Sequence, residues 1–152
     1  MYNQNWAEKC DNSAKFTTYR SFKADFGQEK YLVNITIGKF RMAMARLRVA
    51  ASYLHVNRRL INPNACIKCP FCSQAETELH FLTECIFYRE IREKYISKHF
   101  TDTTSVTLNQ LIANESMLVT SDVAMYIYYG LKMRAERLRI MKLRRNIVQL
   151  IK

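Results

Sequence analysis

Four of the five cysteines in this 152-residue chain, Cys66, Cys69, Cys72 and Cys85, crowd into one short stretch. With His80 they read Cys69-Pro70-Phe71-Cys72, seven residues, His80, four residues, Cys85, or C-x2-C-x7-H-x4-C. Two thiolates separated by two residues can grip one ion while the amides of the turn face the sulfurs. Pro70 fixes φ in that turn, and Phe71 is expected to pack beside the ion and keep water away. His80 adds an imidazole and Cys85 a third thiolate. Three sulfurs and one nitrogen around Zn2+ form a closed tetrahedral set, the structural type. No coordination position then remains for an activated water, which argues against metal catalysis. An odd number of cysteines with no secretion leader at Met1–Trp6 speaks against a disulfide framework and for a reduced, intracellular setting.

Other readings of these cysteines compete. Buried free thiols can serve as small apolar residues. Cys66-x2-Cys69-x2-Cys72 begins like an iron–sulfur run, but the next position of that pattern holds Glu76 and no proline follows. Cys66 is left either as a substitute for Cys69 or as a spare thiol.

Helical geometry constrains the second half of the set. His80 and Cys85 are five residues apart, which on an ideal helix is a net rotation of about 140°. A straight helix cannot turn both to one ion, so it must end, tighten or bend around Glu84–Ile86. Ser73 and Glu76 form an S-x-x-E capping box before Leu79 and Leu82. Glu76 also stands one turn before His80, where it could orient the second ring N–H; the capping role is the preferred reading.

The rest of the chain reads as mostly α, a small helical domain with a zinc knuckle between helices. Residues 1–26 form a loosely ordered N-terminal segment in which Trp6, Phe16, Tyr19, Phe22 and Phe26 lack a period, with a short helix near Ser13–Phe22. Residues 27–152 form the helical domain. A helix with Tyr31, Leu32 and Ile35 follows Gly27, its boundary left open because Val33, Ile35, Thr36 and Ile37 also suit a strand. Phe40, Met44, Leu47, Ala51 and Leu54 share one side of a helix running from Gly38 to near Asn57. Phe87, Ile91 and Tyr95 continue a stripe beyond the knuckle. Thr101–Ser105 is a polar connector, and Leu108, Leu111 and Ile112 mark a short helix. Ser121 or Asp122 then caps a long helix to about Ile147, with Val123, Ile127, Leu131, Leu138 and Met141 as its stripe. Tyr126, Tyr128 and Tyr129 could stack on bases, but the preferred reading is core and rim residues, and Met125, Met133 and Met141 fit core filling.

The formal net charge is +11, which points to an anionic partner. The charge is concentrated. No acid lies between Glu29 and Glu76, a stretch holding Lys30, Lys39, Arg41, Arg46, Arg48, Arg58, Arg59 and Lys68. Against Glu136 alone, Leu131–Lys152 carries Lys132, Arg134, Arg137, Arg139, Lys142, Arg144, Arg145 and Lys152. Two basic helices beside a knuckle suit RNA or DNA bound through phosphates, with Arg41, Arg46, Arg48, Arg58, Arg59, Arg134, Arg137, Arg144 and Arg145 as the expected contacts. Arg41 and Arg48 are seven apart, on one helix face. Basic charge also suggests a nuclear location. An acidic protein surface is the alternative partner, and a membrane surface against Leu131–Ile151 ranks below both. No run of about 18 apolar residues exists to span a membrane. With only 3 glycines, phosphate-cradling loops are absent, and the scattered acids form no metal-catalytic cluster. His55-Val56-Asn57 is too short a match to carry chemistry. No enzyme activity and no small-molecule substrate are expected.

The segment from Cys69 through Cys72 and Glu76-Thr77-Glu78-Leu79-His80-Phe81-Leu82-Thr83-Glu84-Cys85 resembles the zinc-binding region that follows the polymerase part of non-LTR retrotransposon reverse transcriptases. The similarity extends upstream through Arg46-Leu47-Arg48-Val49, His55 and Arg58-Arg59, and downstream through Tyr88, Arg89 and Arg92, covering about residues 38–99. It implies Cys69, Cys72, His80 and Cys85 as the zinc ligands, and nucleic-acid binding that supports reverse transcription rather than chemistry. Two departures stand out. Ile86 occupies a position where family members often carry proline, and the sequence has no polymerase portion. The resemblance therefore implies a C-terminal remnant or stand-alone relative, with an inert remnant as one possible state.

Overall fold

A single helix of 34 residues, Met117–Leu150, organises the molecule; at 1.5 Å per residue it is about 51 Å long. The computed structural model describes residues 2–13, 16–23, 27–102 and 105–150. Phe26, Thr103, Thr104 and Lys152 lie outside the described residues, as does the side chain of Arg145. In chain order the helices are α1 (Tyr2–Asp11), α2 (Thr17–Arg20), α3 (Lys30–Asn34), α4 (Gly38–Arg48), α5 (Arg89–Tyr95), α6 (Leu108–Ile112) and α7 (Met117–Leu150). Three 3-10 turns, His55–Leu60, Ile86–Tyr88 and Ser97–His99, and a π turn at His80–Glu84 join them. Among the described residues the β structure is one antiparallel bridge, Lys68 with Ala75. The expected mostly α domain is therefore observed.

The first half of α7 is the core. Val123, Ala124, Tyr126 and Ile127 are fully buried there, and α3, α4, α5 and α6 all pack against this helix. Phe40 meets Tyr128 edge-on, and Tyr95 stacks on Tyr129. From Ala135 onward most of the described side chains of this helix face solvent. The start of α7 differs from the expected cap at Ser121 or Asp122. Met117 and Leu118 are exposed, so its first turn leaves no apolar periodicity to read. Asp122 is instead buried inside the helix, where its carboxylate meets His99 Nε2 at 2.7 Å and Lys98 Nζ at 2.8 Å.

Helix α4 also ends earlier than its stripe suggests. Phe40, Met44 and Leu47 are buried as expected, Ala43 is buried with them, and Ala51 is exposed. The chain then leaves through a Schellman closure: Ala51 N–H donates to Arg46 O at 2.7 Å and Ala50 N–H to Leu47 O at 3.2 Å. Ala50 holds the left-handed position, φ 55°, where glycine is usual, so the stop carries no sequence signal. Leu54 reaches the core by this loop rather than along the helix. Within the N-terminal segment, α1 leaves Cys10 buried, and α2 falls inside the short helix expected near Ser13–Phe22.

Gly130 lies in the middle of α7 because Phe81 presses against it. A Cβ at this position would stand 2.8 Å from Phe81 Cζ and 3.3 Å from Ile91 Cδ1. Phe81 is fully buried, with its carbonyl accepting from the Tyr126 hydroxyl, so its ring has little room to retreat. Gly130→Ala should therefore destabilise the fold. Overpacking costs about 1–3 kcal/mol, against about 1 kcal/mol of helix propensity regained. Urea unfolding should show a net loss of up to about 2 kcal/mol; a gain would mean that the ring moves freely.

Candidate metal centre

A tight hairpin supplies the first two ligands. Cys69 N–H donates to Gln74 O at 2.6 Å, Ser73 N–H to Cys69 O at 3.0 Å, and Glu76 N–H to Ile67 O at 2.7 Å. Ser73 closes the turn in the left-handed region, φ 66°. Ser73 is therefore a turn residue and not the expected helix cap. Thr77 caps instead, its Oγ1 accepting from His80 N–H at 3.0 Å.

The next stretch solves the five-residue problem by widening the helix. Cys85 N–H bonds to His80 O at 2.9 Å, an i→i+5 closure that makes His80–Glu84 a π turn. Cys85 then leaves in an extended conformation, φ −60°, ψ 123°. The extra residue carries Cys85 back beneath His80, and the bend falls where the spacing demanded it. Arg92 secures the end: its Nε donates to Leu82 O at 2.9 Å and its Nη2 to Cys85 O at 2.6 Å.

These two pieces bring Cys69, Cys72, His80 and Cys85 together, with one ligand atom from each, all within 4.8 Å of one another. Cys69 Sγ lies 3.8 Å from Cys85 Sγ, Cys85 Sγ 3.9 Å from Cys72 Sγ, and Cys72 Sγ 3.3 Å from His80 Nε2. Such S–S separations are far longer than a disulfide, about 2.05 Å. Cys69, His80 and Cys85 are buried, and Cys72 is partly so. Phe71 stacks on Phe87 at 3.9 Å between centroids, an apolar lid beside Cys72. Cys66 is exposed and stands outside the group, so it does not substitute for Cys69.

The surroundings prepare the donors for a cation. Burial pushes the Cys85 thiol up to about 12 and raises Cys69 as well. Backbone N–H groups of Phe71 and Cys72 at Cys69, and of Phe87 at Cys85, oppose that rise. Buried thiols that carry their own amide donors suit a bound metal ion, which would compensate their charge. His80 Nδ1 meets Glu84 Oε2 at 3.1 Å, leaving Nε2 to the ion. Glu84, not Glu76, thus orients the imidazole. The i,i+4 spacing of His80 and Glu84 was visible, but on a straight helix it reads as an ordinary surface pair.

Glu76 has another task. Arg134 Nε and Nη2 donate to its two carboxylate oxygens at 2.9 and 2.8 Å, and His55 N–H donates to Oε2 at 2.6 Å. This corrects the expectation for Arg134, which is 5% exposed and spent on Glu76 rather than on phosphate. Burial alone would lower its affinity for the proton; hydrogen bonds and charge from Glu76 outweigh that and raise it. Arg48 is corrected likewise. It is 3% exposed, paired with Glu29, bonded to Ile112 O and set against the Phe22 and Tyr31 rings. The face shared by Arg41 and Arg48 turns inward, with Arg41 half-buried and donating to Ile35 O and Thr36 O. Arg46, Arg58, Arg59, Arg137 and Arg144 are exposed. None of the expected basic residues belongs to the four-residue ligand group.

Compared with known proteins, the chain matches no family model, no curated protein and no solved structure. No helix among the described residues is long and apolar enough to cross a membrane.

Two outcomes follow from this geometry. Glu76→Gln strands a buried guanidinium and should cost about 3–5 kcal/mol in chemical unfolding. The double change Glu76→Leu with Arg134→Met should recover much of that loss, and equal losses in both chains would refute the pairing. Binding a divalent cation must displace thiol protons. Adding metal to the stripped protein in weak buffer should therefore release protons, and affinity should fall as pH drops because protons compete for the sulfurs. An indicator dye that registers no release, or release equal to that of Cys72→Ser, would contradict the assignment.

Proposed function

We propose that this chain is a zinc-binding, non-catalytic module that binds RNA or DNA through phosphate contacts and derives from a retroelement reverse transcriptase. The observation that carries the reading is the convergence of Cys69, Cys72, His80 and Cys85. With Zn–S near 2.3 Å and Zn–N near 2.05 Å, an ideal tetrahedron has edges of about 3.8 Å between sulfurs and about 3.6 Å from sulfur to nitrogen. The separations of 3.8, 3.9 and 3.3 Å fit such an ion with small adjustments. Three thiolates and an imidazole suit zinc. An iron–sulfur cluster held by four cysteines would need Cys66, which lies outside the group. With four protein ligands the ion has no open position for water, which favours a structural role.

Nucleic-acid binding rests on charge and on the reverse-transcriptase resemblance. Five of the expected arginines, Arg46, Arg58, Arg59, Arg137 and Arg144, stay exposed, and their segments contain almost no acid. The same charge supports a location inside the cell, in the nucleus.

Elemental analysis of the freshly purified protein should find one zinc per chain. Fluorescence anisotropy with a labelled 20-nucleotide strand should give affinity that falls with salt. If each exposed arginine releases one counterion, the log–log slope is about −3.5. Iron, or no metal, would overturn the zinc reading. Zinc without binding at low salt would leave a zinc-stapled protein-interaction domain or an inert remnant.

A further inference from the structure

The loop after α4 builds a surface that the metal centre does not explain. Tyr53 takes a left-handed backbone, φ 63°, three residues after Ala50 at φ 55°, so that two left-handed positions share one short loop. For a bulky aromatic this conformation is an outlier that persists only where the surroundings impose it. Here they do. On one side Ser52 is buried, its Oγ accepting from Asn57 Nδ2 at 2.9 Å. On the other, Leu54 is fully buried. The clamped residue nonetheless presents its own side chain to solvent, 78% exposed. Beside it runs a groove of about 480 Å³ lined by Tyr53, Leu54, Leu60, Ile61, Arg58 and Arg134 among others. Ile61 is 91% exposed.

The charged residues that line this groove, Arg58 and Arg134, are both basic. Arg58 and Arg59 project from the 3-10 turn that forms one wall, and both are exposed. No acid occurs between Glu29 and Glu76. Glu76, the acid bound to the lining residue Arg134, is 1% exposed and fully engaged by Arg134 and His55. Arg137, one turn beyond Arg134 on the same side of α7, is exposed and continues the positive path.

We infer that this groove holds an unpaired base of a single-stranded nucleic acid, stacked on Tyr53, with Arg58 and Arg59 on the adjoining phosphates. The inference rests on the nucleic-acid reading above and names the strand type and the contact. A free aromatic face beside cations matches the way single strands are held, because every base has a π-face. A duplex has its bases already stacked and would offer the groove only backbone. An extended peptide would look for a sheet edge, and the described residues contain no strand at the groove.

The test uses the full zinc-loaded chain, a 12-nucleotide single strand with 2-aminopurine at its centre, and a 12-base-pair duplex. Tyr53→Asn removes the ring while suiting the left-handed backbone. It should weaken single-strand binding about 5- to 160-fold and abolish the 2-aminopurine fluorescence change, leaving duplex binding as it was. Tyr53→Phe should restore most of the lost affinity. Arg58→Ala should reduce the salt slope for the single strand. Equal single-strand affinity for wild type and Tyr53→Asn overturns the groove assignment while leaving phosphate binding intact. Failure of wild type to bind either nucleic acid at low salt overturns both readings. Tyr53-dependent binding of an acidic, leucine-rich peptide in place of the single strand would reassign the groove to a protein partner.

Discussion

The carboxylate of Glu76 is the tie on which the arrangement depends. Its oxygens accept from Arg134 in the middle of α7 and from the His55 amide in the 3-10 turn. Its own amide closes the hairpin that presents Cys69 and Cys72, and its carbonyl accepts from Val56 N–H. Neither charge can be left alone in the interior, since an unpaired buried ion costs several kcal/mol. The pair therefore forces the hairpin, the loop after α4 and the long helix into one register. The ligand hairpin is held to the helical core by this contact as well as by any ion the cysteines hold.

Position alone would not align four donors; the backbone after Thr77 must also absorb a spacing that an α-helix rejects. The π turn does so by taking in one extra residue, and its cost is visible in the groups recruited to support it. Thr83 Oγ1 bonds back to Leu79 O at 2.8 Å. Arg92 covers the carbonyls of Leu82 and Cys85. Phe81, projecting from the widened turn, needs the missing side chain at Gly130. The geometry of the candidate ligand group is thus linked through Phe81 to a glycine near the centre of the longest helix.

The candidate ligand group was legible in the sequence because rare residues at fixed spacing leave little freedom, and the bend near Cys85 followed from the angle between His80 and Cys85. The helices with buried stripes were legible for the same reason: Phe40, Met44 and Leu47 recur at helical spacing. What escaped was decided by contacts between distant segments. Ala50 stops α4 without a glycine, and the first turn of α7 begins on exposed Met117 and Leu118. Glu76 read as a cap because nothing in a linear pattern links it to Arg134, 58 residues away. The basic residues divide on the same principle. Arg48 and Arg134 occupy inward positions of their helices and find carboxylates there, whereas Arg46, Arg58 and Arg137 do not. Net charge counts them alike, but only the second kind can meet a partner.

That division bears on what a metal could contribute to binding. Three thiolates around a divalent ion leave the proposed centre with one net negative charge, and exposed Glu84 beside His80 adds another. The centre would repel phosphate rather than attract it. The segment from Glu76 to Asp102 that carries His80 and Cys85 is itself slightly acidic. Any grip on an anion must therefore come from the flanking segments, the loop with Arg58 and Arg59 and the exposed half of α7. Glu76 and Arg134 join those segments to the knuckle while cancelling one another's charge. Under the proposed function, a bound ion would act on nucleic acid only through the fold, by helping to hold the two basic surfaces at a fixed separation.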